Sequence, residues 1–306
     1  GACLSLMPLA ALADPALIFD LGGKFDKSFN EAAYQGAERW KAETGGSYKE
    51  LEMQSEAMRE QALRRLAQSG ANPIVMTGFA FGEVLNKVAA DYPDTKFVII
   101  DMVVEQPNVQ SVVFTEEQGS YLAGIMAAQA SKSGTVGFIG GMDIPLIHKF
   151  ECGYAQGFKA AKPDGKVIIN YTGTTPAAWN DPVKGGELVK AQISQGADVI
   201  YAAAGGTGIG VLQAAADANI LSIGVDSNQN HLHPGKVLTS MVKGVDNSVY
   251  EAFKAGAEVQ PGVKVMDLKS GGVSVAMDDN NKALVTPEMA AAVEAATKAI
   301  EDGSVK

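Results

Sequence analysis

A carboxylate and an aromatic ring lie close together near the start of the chain, in a pattern that could bind a small molecule. Asp20 follows the apolar run 15–19, and a glycine turn then leads to Phe29 in an amphipathic helical segment. Ser28 and Glu31 have the Ser-x-x-Glu spacing of a capping box, so Ser28 is the predicted helix N-cap. Strand, turn and helix N-terminus place Asp20 and Phe29 at the carboxyl edge of a sheet, where open α/β sheets bind ligands. This pairing suits a flat ligand that offers hydrogen-bond donors.

The second half of the chain carries further polar and aromatic candidates. Asp226 ends the apolar run 220–225, and its carboxylate could accept hydrogen bonds from both hydroxyls of a ribose. Lys243 closes the next apolar strand and could donate to ribose oxygens. Trp179 lies in a loop rich in Pro and Thr, where an aromatic ring is more typical of a binding site than of a core.

Phe29 and Trp179 belong to different halves of the chain, so they could enclose a base between two rings. Base–aromatic stacking contributes roughly 1–3 kcal/mol per contact. Each candidate also has a structural alternative. Phe29 and Trp179 could pack in the core, Asp20 could bind the amides of its own glycine turn, and Lys243 could lie in solvent.

Gly205 and Gly206 begin a glycine-rich turn between an apolar strand and a helix. Glycines there let backbone N–H groups approach a ligand at the helix N-terminus. The rival interpretation is a dinucleotide-binding turn, because Asp226 follows Gly206 by twenty residues. Val211 occupies the third glycine position of that pattern, which disfavours a nicotinamide enzyme.

The segment Asp20–Glu31 resembles a motif of the basic membrane protein family of substrate-binding proteins for ABC importers, and in particular its purine nucleoside receptor branch. Further matches follow in chain order, at 117–124, 136–141, 180–182, 204–208, 224–227 and 239–243. The resemblance implies that Asp20 reads the edge of a base. It also implies a second stacking ring, for which those receptors use Phe and this chain offers Trp179. The predicted ligand-binding set is completed by Asp26, Asn30 and Phe79.

Short apolar runs alternate with longer helical stretches after residue 14, which predicts an α/β fold with parallel sheets. A break at 132–134 divides the pattern into two series, so we expect two doubly wound lobes rather than one closed barrel. The predicted strands are 15–20, 47–53, 72–77, 96–101, 109–114, 135–139, 166–171, 197–203, 220–225, 236–243 and 272–277. The predicted helices are 28–43, 56–69, 80–91, 116–131, 145–162, 182–195, 207–218, 246–256 and 287–300.

The family resemblance also implies a hinge. It points to the type I periplasmic binding protein fold, in which three strands of chain join the two lobes. The crossings are expected near 131–134, 242–245 and 270–273. The predicted lobe 1 consists of 14–131 and 245–271, and the predicted lobe 2 of 132–244 and 272–306.

The composition limits the classes of protein to which the chain can belong. Its 306 residues are enough for two domains, and 46% hydrophobic with 20% charged residues is typical of a globular protein. A net charge of −10 argues against a nucleic-acid partner, because phosphate contacts need clustered Lys and Arg. The sequence has no nucleophile elbow, His-Glu-x-x-His motif or P-loop, and the pair His231 and His233 lacks a third metal ligand. We therefore expect neither catalysis nor a metal or other cofactor.

The first residues differ from the rest of the chain. Residues 1–13 carry no charge and end in Ala-Leu-Ala, which is typical of the remnant of a secretory signal peptide. The alternatives are an apolar N-terminal arm and lipidation at Cys3, since members of the resembled family are often lipoproteins. If cleavage follows Ala13, Cys152 alone remains and no disulfide is expected. The predicted location is periplasmic or otherwise extracytoplasmic, with a lipid anchor as an open alternative.

The sequence thus predicts a periplasmic substrate-binding protein that captures nucleosides, purine nucleosides before others, for an ABC importer by hinge closure. The expected partners are a nucleoside and the transporter permease, and the protein is expected to be a monomer. The alternatives are a secreted enzyme that acts on nucleosides, or a binding protein for a sugar or for riboflavin. A polar cleft without an activated nucleophile favours binding over catalysis.

Overall fold

The computed structural model describes residues 12–306, in which strands and helices alternate. The predicted signal segment, apart from Leu12 and Ala13, lies outside the described residues. The strands are β1 (Ala16–Phe19), β2 (Lys49–Glu52), β3 (Ile74–Thr77), β4 (Phe97–Ile100), β5 (Val109–Phe114), β6 (Thr135–Met142), β7 (Lys166–Gly173), β8 (Val199–Ala203), β9 (Leu221–Asp226), β10 (Val237–Lys243), β11 (Gly262–Met266) and β12 (Val273–Val275). The helices are α1 (Phe29–Thr44), α2 (Arg59–Gln68), α3 (Gly82–Asp91), α4 (Glu116–Ala130), α5 (Pro145–Ala161), α6 (Pro182–Ser194), α7 (Thr207–Asp217), α8 (Val245–Ala255) and α9 (Pro287–Glu301).

The first sheet has the strand order β11-β5-β4-β3-β1-β2, and its pairings are all parallel. β1 shows why the central strands are apolar throughout. Ala16 and Ile18 pack into one hydrophobic cluster, while Leu17 and Phe19 pack into another. Both faces of this sheet are therefore buried, as is usual for parallel sheets. The carboxyl ends of β1, β3 and β4 lie at the same edge of the sheet.

The second sheet has the strand order β12-β10-β9-β8-β6-β7. Its pairings are parallel except for β12, which runs antiparallel to β10 with Val273 opposite Lys243. The predicted pair of doubly wound lobes is confirmed, with one antiparallel edge strand in addition.

The sequence does not predict β11, which forms the edge of the first sheet beside β5. Val263 and Val265 are each 54% exposed, and Lys264 lies between them. This short segment therefore lacks the continuous apolar run by which the buried strands are recognised.

The chain passes between the sheets before β6, after β10, and between β11 and β12. Helix α4, which precedes β6, packs against α5 and β10 of the second lobe. Gly124 permits this contact, because a Cβ there would lie 2.2 Å from the backbone oxygen of Tyr154. We propose that the first crossing lies near Thr115, ahead of the expected 131–134, because that break in the sequence pattern marks the end of α4. The other lobe boundaries remain predictions.

Candidate functional site

A cavity of about 80 Å³ lies between the lobes. Its walls are the loops after β1, β3 and β4 in one lobe, and α5 with the loops after β7, β8 and β9 in the other. The predicted residues that line it are Asp20, Asp26, Phe29, Asn30, Phe79, Trp179, Gly205, Asp226 and Lys243. Gly206 lies directly behind this wall, since a Cβ there would be 3.1 Å from the backbone oxygen of Trp179. The structure thus brings the candidates together, and their contacts with a ligand remain a prediction.

Asp20 is held by an ion pair rather than by its own glycine turn. Arg59, and not the amide of Gly22 or Gly23, donates to its carboxylate, with Nη2 at 2.9 Å and Nε at 3.2 Å from Oδ1. The Asp20 amide donates to Oγ1 of Thr77 at 3.1 Å. Burial raises the pKa of Asp20, while the charge and hydrogen bonds of Arg59 oppose this shift.

Asp26 caps helix α1, which corrects the expectation for Ser28. Its carboxylate accepts hydrogen bonds from the amides of Ser28, Asn30 and Glu31 at 2.8–3.1 Å. Burial raises the pKa of Asp26 to about 7, against the effect of these three bonds. Ser28 stands at the N-cap position, but its side chain makes no cap bond. Its hydroxyl instead donates to Oδ2 of Asp226 in the other lobe at 2.8 Å, because the loop after β9 lies against the start of α1.

Asn30 fixes the loop between β1 and α1. Its side-chain Nδ2 donates to the backbone oxygens of Asp20 and Gly23, each at 3.2 Å. Its Oδ1 accepts from the hydroxyl of Thr77 at 2.9 Å. The amide group of Asn30 is therefore engaged within lobe 1, and it holds in place the turn that carries Asp20.

Aromatic rings reach the cavity from both lobes. Phe29 begins α1 in lobe 1, and its ring centroid lies 5.3 Å from Nζ of Lys243. Trp179 lies in lobe 2 with its ring against Gly141, where a Cβ would be 2.2 Å from Cζ3. Both rings are half-buried. The space left by Gly141 therefore determines where the Trp179 ring can lie.

Lys243 is the centre of a buried cluster of charges. Its Nζ lies 2.8 Å from Oδ1 of Asp101 and 3.0 Å from Oε1 of Glu116. Burial would lower the pKa of Lys243, but the surrounding carboxylates raise it above its usual value. Burial raises the pKa of Asp101 to about 6 and also raises that of Asp226, while Lys243 opposes both shifts. An ion pair between Asp101 and Lys243 therefore joins the two lobes.

Further hydrogen bonds cross between the lobes near the start of α1. Besides the bond from Ser28 to Asp226, the hydroxyl of Ser227 donates to the backbone oxygen of Ser28 at 2.7 Å. Nε2 of Gln229 donates to the backbone oxygen of Lys27 at 2.8 Å. The lobes are thus in contact, and the cavity is formed by both at once.

The sequence reasoning missed several residues of this site. Asp101 directly follows β4, just as Asp20 follows β1, so its position at a strand end was a usable signal. Glu116 and Arg59 begin helices and carried no comparable signal. The remaining wall residues are apolar side chains or glycines, namely Leu21, Gly22, Gly78, Leu146, Ile147, Phe150, Ala203 and Val225.

Across residues 12–306 the structure shows no group of His, Cys, Asp and Glu side chains that could hold a metal ion. Over the same residues, no helix combines the length and the apolar character needed to cross a membrane.

The chain is similar to known proteins over nearly its whole length. A family model described as ABC transporter substrate-binding protein PnrA-like matches residues 15–305. The ABC transporter nucleoside-binding protein BmpA of Lactococcus lactis is 33% identical over 315 residues, which cover 95% of this chain and 87% of that protein. An uncharacterized lipoprotein of Pyrococcus abyssi is 35% identical over 277 residues, which cover 84% of this chain and 67% of that protein. Among solved structures, an ABC transporter system solute-binding protein of Aeropyrum pernix K1 has a TM-score of 0.88 and 28% identity, covering 96% of this chain and 92% of that one.

Proposed function

The chain belongs to the Bmp family of PnrA-like ABC transporter substrate-binding proteins, and from this premise we propose that it captures purine nucleosides by closing its lobes around them. Members of the family bind substrates for transporters, so the protein is not an enzyme. The predicted family and the two-lobed type I periplasmic binding protein fold are both confirmed. The nucleoside itself is the further step that we propose.

The observation that carries this proposal is one cavity lined both by groups suited to a base and by groups suited to a ribose. Phe29 and Trp179, from opposite lobes, offer rings for the two faces of a base. Asp20 lies beside them and can accept hydrogen bonds from the edge of that base. The name of the Lactococcus lactis relative, a nucleoside-binding protein, agrees with this assignment.

The sugar contacts are assigned to Asp226 and Lys243. An ammonium group has three donors; Nζ of Lys243 donates to Oδ2 of Asp101 at 2.8 Å, and Glu116 lies beside it as an ion-pair partner at 3.0 Å. The third donor is then free for a ribose oxygen. Asp226 lies at the carboxyl end of β9 and can accept from the diol, since one of its oxygens is bound to Ser28 and the other is not.

The second proposed partner is the permease of the importer. A substrate-binding protein must meet its solute before transport, so we place this protein outside the cytoplasm. The relative in Pyrococcus abyssi is named a lipoprotein, which supports attachment to the outer face of a membrane. We propose that the protein acts as a monomer, since the two lobes of a single chain supply all the groups that we assign to the nucleoside.

Calorimetric titration with inosine, guanosine and adenosine tests the proposal. We expect one site with a dissociation constant of about 1 μM or less for at least one purine nucleoside. Chromatography of the mixture after several hours should recover the nucleoside intact. Binding of riboflavin or of a free sugar in place of all three nucleosides would contradict the proposal.

The two aromatic rings provide a separate prediction. Trp179→Ala and Phe29→Ala should each weaken nucleoside binding by roughly 1–3 kcal/mol, which is the contribution of one base stack. Trp40 packs edge-on against Phe253, with ring centroids 5.3 Å apart and outside the cavity, so Trp40→Phe is the matched control. A nucleoside should change the fluorescence of Trp179 in the Trp40→Phe variant. Unchanged affinity of Trp179→Ala would exclude this ring from the base site.

A further inference from the structure

Arg59 is a buried cation beside the cavity with no part in the contacts proposed so far. It is 6% exposed and begins helix α2. Its guanidinium carbon lies 5.5 Å from the ring centroid of Phe81. The same guanidinium binds Asp20 through two nitrogens, Nη2 at 2.9 Å and Nε at 3.2 Å from Oδ1. Two bonds and an aromatic neighbour thus fix the direction in which Arg59 holds Asp20.

The two oxygens of Asp20 have different surroundings. Both contacts from Arg59 go to Oδ1, and no side chain among residues 12–306 donates to Oδ2. Gly78 provides the room beside Oδ2, because a Cβ at that position would lie 3.0 Å from it. Asp20 and Gly78 both line the cavity. Oδ2 is therefore the oxygen that a ligand can use.

The protonation state of Asp20 decides which ligand atoms it can meet. An ionised carboxylate accepts hydrogen bonds, whereas a neutral carboxyl group also donates one. Burial favours the neutral form of Asp20, and the adjacent cation of Arg59 favours the ionised form. Without Arg59, only the backbone amide of Leu21 would oppose the effect of burial on the pKa of Asp20, and the charge of Glu56 would add to that effect.

Purine bases differ at the edge with which Oδ2 of Asp20 would form a hydrogen bond. Inosine and guanosine, which are 6-oxopurines, carry a hydrogen on N1, while N1 of adenosine is an acceptor beside the amine on C6. An ionised carboxylate matches the N1–H of a 6-oxopurine and opposes the lone pair of adenine. A neutral carboxyl group matches adenine, since it can donate to N1 and accept from the amine.

We propose that Arg59 is a positioning residue that makes the site selective for 6-oxopurine nucleosides, because it holds Asp20 ionised with Oδ2 towards the base. This inference rests on the proposed function and deepens it. Arg59 does not touch the ligand, so its effect appears in the ratio of affinities for two bases and in the dependence of that ratio on pH.

The test measures the dissociation constants of inosine and adenosine from about pH 6 to pH 8. The unmodified protein should prefer inosine by about tenfold or more across this range, since the ionised Oδ2 can accept from N1–H of inosine but faces the lone pair on N1 of adenosine in the same position. Arg59→Met should reduce that ratio about tenfold or more. The reduction should be larger at the lower pH, where more of Asp20 is neutral.

Two variants serve as controls. Arg65 is an exposed residue of the same helix, so Arg65→Met makes the same charge change and should keep the ratio. Arg59→Lys retains the positive charge and should keep a ratio that does not depend on pH, even if both affinities fall. If circular dichroism shows that Arg59→Met does not fold, Arg59→Gln and Arg59→Lys are compared instead.

The outcomes separate the inference from the function on which it rests. Purine nucleoside binding with the same ratio in Arg59→Met and in the unmodified protein, at every pH, would refute the role of Arg59 and leave the function intact. A preference of the unmodified protein for adenosine would also refute it. Absence of any nucleoside binding by the unmodified protein would overturn the proposed function itself.

Discussion

Replacement of Lys243 by methionine should lower the free energy of unfolding by about 3–5 kcal/mol near pH 8, as removal of one partner from a buried ion pair does. Asp101 and Glu116 lie 2.8 and 3.0 Å from Nζ of Lys243, and both would lose their shared cation. Asp226 lies in the same buried cluster. Three carboxylates would then remain buried, and among residues 12–306 their remaining ion-pair partner would be Lys149, at 2.6 Å from Glu116. Chemical denaturation monitored by circular dichroism measures the loss.

The loss of unfolding free energy in Lys243→Met should be smaller near pH 5. Burial already raises the pKa of Asp101 to about 6, and without Lys243 it would rise further. A carboxyl group whose pKa is higher in the folded state binds its proton more tightly there, so its contribution to stability declines as the pH rises through that pKa. The deficit of Lys243→Met should therefore grow from about pH 5 to pH 8.

Lys282 provides the matched control, because it forms a surface pair with Asp279 at 3.2 Å and is 72% exposed. Lys282→Met should change the free energy of unfolding by less than about 1 kcal/mol, as is usual for exposed pairs. If Lys243→Met lowers the free energy of unfolding as little as Lys282→Met does, the buried carboxylates are not stabilised by Lys243.

Asp226→Ala should weaken inosine binding by about 1.5–3 kcal/mol, or roughly 10- to 150-fold, as expected for a hydrogen bond to a charged acceptor. The ribose diol would lose its acceptor, and the hydroxyl of Ser28 would lose a bond of 2.8 Å. Lys243 keeps Asp101 and Glu116 as partners in this variant, so its charge stays compensated. Calorimetric titration measures the change.

Titration with hypoxanthine, the base of inosine without its ribose, distinguishes loss of the ribose contact from a general loss of structure. The unmodified protein should bind it far more weakly than inosine, and Asp226→Ala should leave that weak binding almost unchanged. Ser28→Ala removes the bond between the lobes but not the acceptor for ribose, so its effect should be smaller. Equal binding of hypoxanthine and inosine by the unmodified protein would remove the basis for the nucleoside assignment.

The order of strands and helices could be read from the sequence because most elements have a strong apolar period or end at a clear signal. β11 was not predicted because Lys264 separates Val263 from Val265 at an exposed sheet edge. The crossing that we propose near Thr115 differs from the expected one for another reason, which concerns α4. Its end at 130 is visible in the pattern, but the lobe on which a helix packs is decided by contacts such as that of Gly124 with Tyr154.

The residues of the cavity could likewise be predicted only where a local sequence pattern marks them. Asp20 and Asp226 were predicted because each ends an apolar run, and the ends of parallel strands lie at the same edge. Asp101 obeys that rule as well and could have been found by it. The contact of Arg59 with Asp20 spans 39 positions and depends on where α2 lies beside the sheet. No local pattern reveals such a pairing, and none reveals that Ser28 binds Asp226 instead of its own helix.

The bonds from Ser28 to Asp226 and from Ser227 to Ser28 join the lobes through groups of the protein itself. Solute can arrive only while they are broken, so the observed association rate is the encounter rate multiplied by the open fraction. Departure requires the same opening, so the residence time lengthens as these bonds strengthen. The bond from Ser227 to the backbone contributes about 0.5–1.5 kcal/mol and the bond to the Asp226 carboxylate about 1.5–3 kcal/mol, and both values are small enough for the bonds to break often. A receptor with stronger bonds here would retain its solute longer, but it would deliver fewer molecules per second to the permease.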